Sequence, residues 1–95
     1  SAPARLPSGI RIAGVHPQPV SAGDAVVTVV LDRRRQISLE LYNSAGMRVL
    51  HIAEGEYAEG ASQFGLRVPD LPNGAYFLSL RSGTESVFRR MMITR

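Results

Sequence analysis

The sequence predicts an all-β domain, a seven-stranded antiparallel β-sandwich of Greek-key type. Three observations carry the prediction. Apolar residues fall in short runs rich in Val, Ile and Leu, several alternating with polar residues at period two. Turn chemistry built on Gly, Pro, Asn and Ser interrupts the runs about every eight to twelve residues. No stretch shows the 3.6-residue spacing of an amphipathic helix. A small closed barrel shares this pattern and is the alternative architecture.

Ile10 to Val15 is the first strand. His16-Pro17-Gln18-Pro19 closes it, because two prolines remove two backbone donors and bar the segment from the middle of a sheet. Ala25 to Leu31, a dense β-branched run, is the second, with Gly23-Asp24 before it and Arg33-Arg34-Arg35 after it. Ile37 to Tyr42 alternates cleanly, placing Ile37, Leu39 and Leu41 on a core face and Ser38, Glu40 and Tyr42 on the other. Asn43-Ser44-Ala45-Gly46 turns the chain, Asn starting the turn through its side chain and Gly46 accepting a positive φ. Met47 to Ala53 returns as the hairpin partner, and Glu54 to Gly60 reads as a polar connection. Ala61 to Val68 is the fifth strand, with Phe64, Leu66 and Val68 at period two. In Leu71-Pro72-Asn73-Gly74 the proline presets φ while Asn and Gly tolerate left-handed geometry. Ala75 to Arg81 and Glu85 to Thr94 complete the set as a hairpin around Ser82-Gly83-Thr84.

Ninety-five residues support one hydrophobic core, and a chain of this size buries roughly 60–70% of its unfolded surface. With 44% hydrophobic and 20% charged residues, the composition is that of a globular domain. The absence of cysteine excludes a disulfide framework, a zinc–thiolate site and a thiol nucleophile. The net charge of +3 rests on arginine, since the chain has no lysine. Such a balance suits nucleic acid or anionic head groups. The charges are scattered, however, and are read as solvated surface, with no nucleic-acid partner. No apolar stretch approaches the ~20 residues of a membrane span. Residues 1–9 hold two prolines and small residues without the apolar run of a signal peptide. They are read as a linker, and residues 10–95 as the folded domain at the tail of a longer protein.

Few residues invite a chemical role. His16 precedes a proline in a bend, and His51 lies on the expected exposed face of a strand; neither has converging partners at metal-ligand spacing. No serine sits in a G-x-S-x-G turn, and no Ser-His-Asp arrangement can be built. Glu54, Glu56 and Glu59 share one polar stretch and are read as a solvated loop. Arg33-Arg34-Arg35 is read as a wet turn that blocks edge pairing, with anion binding as its alternative. No catalytic residue, metal, cofactor or small-molecule substrate is therefore expected. Phe64, Tyr76 and Phe88 fall at core-packing positions, and Tyr42, Tyr57 and Phe77 at outward ones. Without tryptophan, the aromatic platform of a sugar-binding module is not expected.

Taken in order, the motifs resemble the type A C-terminal sorting domain of the type IX (Por) secretion system. His16-Pro17-Gln18-Pro19-Val20 stands where that family has a Tyr-Pro-Asn-Pro-like stretch. The segment from Ile37 to Val49 is similar to its alternating strand and Tyr-Asp-x-x-Gly-like turn, here Tyr42-Asn43-Ser44-Ala45-Gly46. Leu71-Pro72-Asn73-Gly74-Ala75-Tyr76 matches its Leu-x-x-Gly-x-Tyr motif. Arg89 to Arg95 matches its closing basic-then-apolar strand. The resemblance covers residues 10 to 95, with Pro17, Pro19, Gly46, Leu71, Gly74 and Tyr76 as motif residues. The chain departs from the family in His16 for Tyr, Gln18 for Asn and arginine for lysine in the last strand. Arginine keeps the charge but changes the hydrogen-bond geometry.

The resemblance implies an immunoglobulin-like sandwich that serves as an address and has no chemistry of its own. Cargo carried N-terminal to the domain would pass through the periplasm and meet an outer-membrane translocon. It would then reach the cell surface or the medium, with a sortase cutting upstream, in residues 1–9. Arg89, Arg90, Met91, Met92, Ile93, Thr94 and Arg95 are the residues expected to be recognised. A strand at the end of the chain can be offered to a partner by strand addition. Val87, Arg89, Met91 and Ile93 are the more apolar set and are expected to face the core, leaving Arg90 and Met92 outward. The rival reading is an immunoglobulin-like or fibronectin-like spacer or adhesion module of a surface protein.

Overall fold

Period-two alternation becomes two layers. The computed structural model describes residues 9–20, 23–68 and 71–94. Seven strands follow in chain order: β1 (Ile10–His16), β2 (Gly23–Leu31), β3 (Arg35–Asn43), β4 (Arg48–Tyr57), β5 (Gly60–Val68), β6 (Gly74–Ser82) and β7 (Glu85–Ile93). One sheet has the order β1-β2-β5 and the other β4-β3-β6-β7. All pairs within them are antiparallel. The chain changes layer between β2 and β3, β4 and β5, and β5 and β6, which gives the expected sandwich rather than a barrel.

The inner faces supply the core. Val27, Val29 and Leu31 of β2 lie in one cluster with Leu39 and Leu41 of β3 and Leu78 and Leu80 of β6, all essentially inaccessible to solvent. Burying each such side chain is worth about 1.5–3 kcal/mol relative to leaving it exposed. The turn from β3 to β4 forms as its sequence predicts. Asn43 Oδ1 accepts from the backbone N–H of Ala45 and of Met47, each at 2.9 Å, and Gly46 takes a φ of +84°.

Several expectations are corrected. β4 continues through Glu54–Tyr57 instead of ending at Ala53, and these residues pair with Arg35–Ser38. An edge strand faces water along one side, so a polar composition is compatible with strand there. Tyr57 does not point outward. It packs on the core and meets Phe64 edge-to-face, with ring centroids 5.0 Å apart. Asn73 has no positive φ, and Gly74 alone in that turn takes one.

Arg35 is not part of a wet turn. It opens β3, is 8% exposed, and reaches Asp32 Oδ1 at 2.7 Å and Glu85 Oε2 at 2.8 Å. Asp32 also accepts from the Gly9 backbone N–H at 2.6 Å. The starts of β1, β3 and β7 and the end of β2 are thereby tied at one pole. Arg33 and Arg34 remain exposed.

The first edge is shared between the layers. After β1 the chain leaves its sheet at His16-Pro17-Gln18-Pro19 and lays the fully buried Val20 along β7, in a parallel bridge with Ile93. The Val20 N–H donates to Met92 O at 2.8 Å, and the Thr94 N–H donates to Val20 O at 2.9 Å. Gln18 Oε1 accepts from the Met92 N–H at 2.9 Å. This strap, residues 17–20, covers the final part of β7.

Candidate functional site

β7 is an edge strand whose two faces do different work. Met91 and Ile93 point inward and are 1% and 0% exposed, while Val87 is partly buried against the core. Arg89 shares their side but lies at the rim, exposed, with Nη1 donating to Ile12 O of β1 at 3.3 Å. Arg90 is outward and exposed, and Met92 is outward and half-buried; Arg90 Nη2 lies 3.6 Å from Met92 Sδ. Thr94 follows the strand, exposed and bonded to Val20. Arg95 lies outside the described residues. The structure thus divides the expected recognition residues into a core pair, Met91 and Ile93, and a displayed set, Arg89, Arg90, Met92 and Thr94.

Phe88 belongs to the displayed side. The alternation that buries Met91 and Ile93 turns it outward, and at 65% exposure it is not the core residue its sequence context indicates. With Tyr42 and Phe77 it lines an open groove on the outer face of the four-stranded sheet, alongside Ser79 and Arg81. An aromatic grouping therefore exists where none was expected.

A family model described as the secretion system C-terminal sorting domain matches residues 14–94. The chain belongs to that family. No curated protein and no solved structure gives a match. Family membership makes the domain a type IX sorting signal, dealing with the secretion machinery and a cargo region N-terminal to it, for export across the outer membrane.

Within the sorting domain, the motif residues prove to be parts of the scaffold. Tyr76 is buried at the start of β6, and its hydroxyl donates to Pro72 O, four residues upstream, at 2.7 Å. This is a tyrosine corner, a device that pins the crossing between layers in immunoglobulin-like sandwiches. It accounts for Leu-x-x-Gly-x-Tyr: Leu71 packs against the core, and Gly74 takes a φ of +152° to start the strand. Gly46 has the positive φ of the β3–β4 turn, and Pro17 and Pro19 bend β1 into the strap.

One cluster escaped sequence reading. Glu40 lies on the outer face of β3, yet is only 5% exposed. Arg48 Nη1 reaches its Oε2 at 2.9 Å, His51 Nδ1 the same oxygen at 3.3 Å, and the Tyr42 hydroxyl donates to Oε1 at 3.0 Å. Burial pushes this carboxyl up, but the bonds from Arg48, His51 and Tyr42 outweigh it and hold it below the ordinary glutamate range. Its neighbours come from β3 and β4, and from β6 through Arg81 at 3.7 Å, so no local pattern announced it. Both oxygens are engaged, which makes the cluster a clasp across three strands. Among the described residues, no group of three or more His, Asp or Glu is placed to hold a metal ion.

Proposed function

We propose that the domain is a non-catalytic address, folded in the periplasm and recognised by the outer-membrane translocon through the displayed residues of β7. Residues 10–95 are the unit that is read. The linker, residues 1–9, is where a sortase would separate it from the cargo N-terminal to it. The observation that carries this reading is the family match over residues 14–94. Two further observations support β7 as the recognised element. Its exposed Arg89 and Arg90 have no carboxylate in ion-pair range among the described residues, while Arg48 and Arg81 are paired to Glu40 and Arg34 to Glu56. Its exposed side chains also sit on a strand whose inner side is locked into the core, so their positions are fixed. The spacer reading draws on the same sandwich but gives no account of the family match.

The test is export of a reporter fused to residues 10–95 in a host with a type IX system. Deleting residues 89–95 is expected to leave the reporter in the periplasm. That deletion also strips Met91 and Ile93 from the core, so a second variant is required. Arg89→Gln with Arg90→Gln leaves the core intact and is expected to reduce export at least several-fold, with the fold verified by circular dichroism. Full export of the folded double variant would overturn the assignment of these arginines to recognition.

A further inference from the structure

β7 also displays backbone. In a strand, the N–H and C=O of one residue point to the same side, and this side alternates along the chain. The Met92 N–H and C=O and the Thr94 N–H point away from β6, because Gln18 and Val20 bond them. By the same alternation, the N–H and C=O of Ser86, Phe88 and Arg90 point to that side, and among the described residues no strand covers them.

Of the usual protections against pairing, this edge lacks the bulge. β6 and β7 keep register over their whole length, whereas β1 is bulged between Ile12 and Gly14 and the β3–β4 ladder shifts twice. Bulges twist an edge away from incoming strands. β5 is also a straight edge, but its Arg67 is neutralised by Asp24 and it carries no exposed aromatic.

Charge identifies the partner's chemistry. Among the described residues, Arg33 and Arg35 pair with Asp32, Arg34 with Glu56, Arg48 and Arg81 with Glu40, and Arg67 with Asp24. Among the described residues, Arg11, Arg89 and Arg90 have no carboxylate in ion-pair range. Arg89 reaches from β7 to the carbonyl of Ile12, the residue after Arg11 on β1. An open hollow of about 430 Å³ lined by Gln18, Pro19, Arg90, Met91 and Met92 lies where the strap meets the free part of the edge.

We infer that Ser86–Arg90 is a strand-addition site for an extended acidic segment of a partner protein, with its register stopped at Met92 by the strap. Backbone bonds to Ser86, Phe88 and Arg90 supply affinity, while acidic side chains on the face of Arg90 supply selection. The inference rests on the reading of β7 as the recognised strand and names the chemistry of what meets it.

The probe is a capped octapeptide of alternating Glu and Thr, titrated into the ¹⁵N-labelled whole chain, with a Lys–Thr octapeptide as control. The amides of Ser86, Phe88 and Arg90 are expected to shift saturably and gain exchange protection with the acidic peptide alone, while those of Met92 and Thr94 hold still. Ser86→Pro removes an outward N–H without breaking the β6 ladder. It is expected to weaken binding about tenfold, as is Arg90→Glu, since like charges across a strand pair repel. Absence of a saturable shift, equal shifts with the lysine peptide, or full binding by folded Ser86→Pro would each overturn the inference. The two readings fail separately. Peptide binding without tail-dependent export removes the export reading, and tail-dependent export without peptide binding removes the edge site.

Discussion

At the scale of single residues, the structure turns motif letters into bonds. The Tyr76 hydroxyl donates to Pro72 O in a buried setting. Tyr76→Phe is expected to lower stability by about 1–2 kcal/mol, read as a lower urea midpoint at unchanged slope. Glu40 predicts a pH dependence. Its folded carboxyl lies below the ordinary value of 4.5, so its contribution is complete above that value and is lost as pH falls through the lowered one. Asp32 acts in the same direction, from an ordinary value of 3.8, because bonds from Arg35 and Gly9 hold its carboxyl low. The melting temperature is therefore expected to hold from about pH 7 to about pH 5 and to drop below that. Glu40→Gln should lower it at neutral pH and flatten the acid fall; an unchanged fall would remove Glu40 from the account. Tyr76 was legible in the sequence as a buried aromatic. Glu40 was legible only as an outward strand position, because what buries it arrives from neighbouring strands. Phe88 was misplaced because aromatic character alone does not say which side of a strand meets the core.

At the scale of elements, hairpins were readable and long-range attachments were not. The β3–β4 and β6–β7 turns announce themselves through Asn43, Gly46 and Gly83, all within a few residues of the strands they join. The extension of β4 through Glu54–Tyr57 was hidden, since an edge strand's polar residues look like a loop. The strap was legible only as a segment that cannot sit inside a sheet. Its attachment joins Val20 to Ile93, which are far apart in sequence and have no local signature. Val20 is fully buried, and Val20→Ala is expected to cost about 1–3 kcal/mol. Hydrogen exchange should show where that loss falls: the Met92 and Thr94 amides should speed up more than those of Leu39 and Leu41. Uniform acceleration would mean that the strap is not a separate cooperative piece.

At the scale of the whole molecule, stability and display share one strand. β7 fills the core with Met91 and Ile93 and presents Arg89, Arg90 and Met92 on its other surfaces. The sandwich itself was readable from alternation, because both layers bury one face and wet the other. Which strand forms an open edge was not, because edges are settled by sheet order. Removal of residues 89–95 is expected to abolish the cooperative urea transition, while Arg89→Gln with Arg90→Gln should move its midpoint by no more than about 1 kcal/mol equivalent. The parallel strap has a mechanical meaning as well. Were cargo to draw on the start of β1 while a partner held the chain beyond Thr94, the strap and β7 would be drawn in opposite directions. Two parallel strands drawn in these opposite directions are loaded in shear, so the bonds of Gln18 and Val20 to Met92 and Thr94 bear the tension together instead of peeling apart in turn.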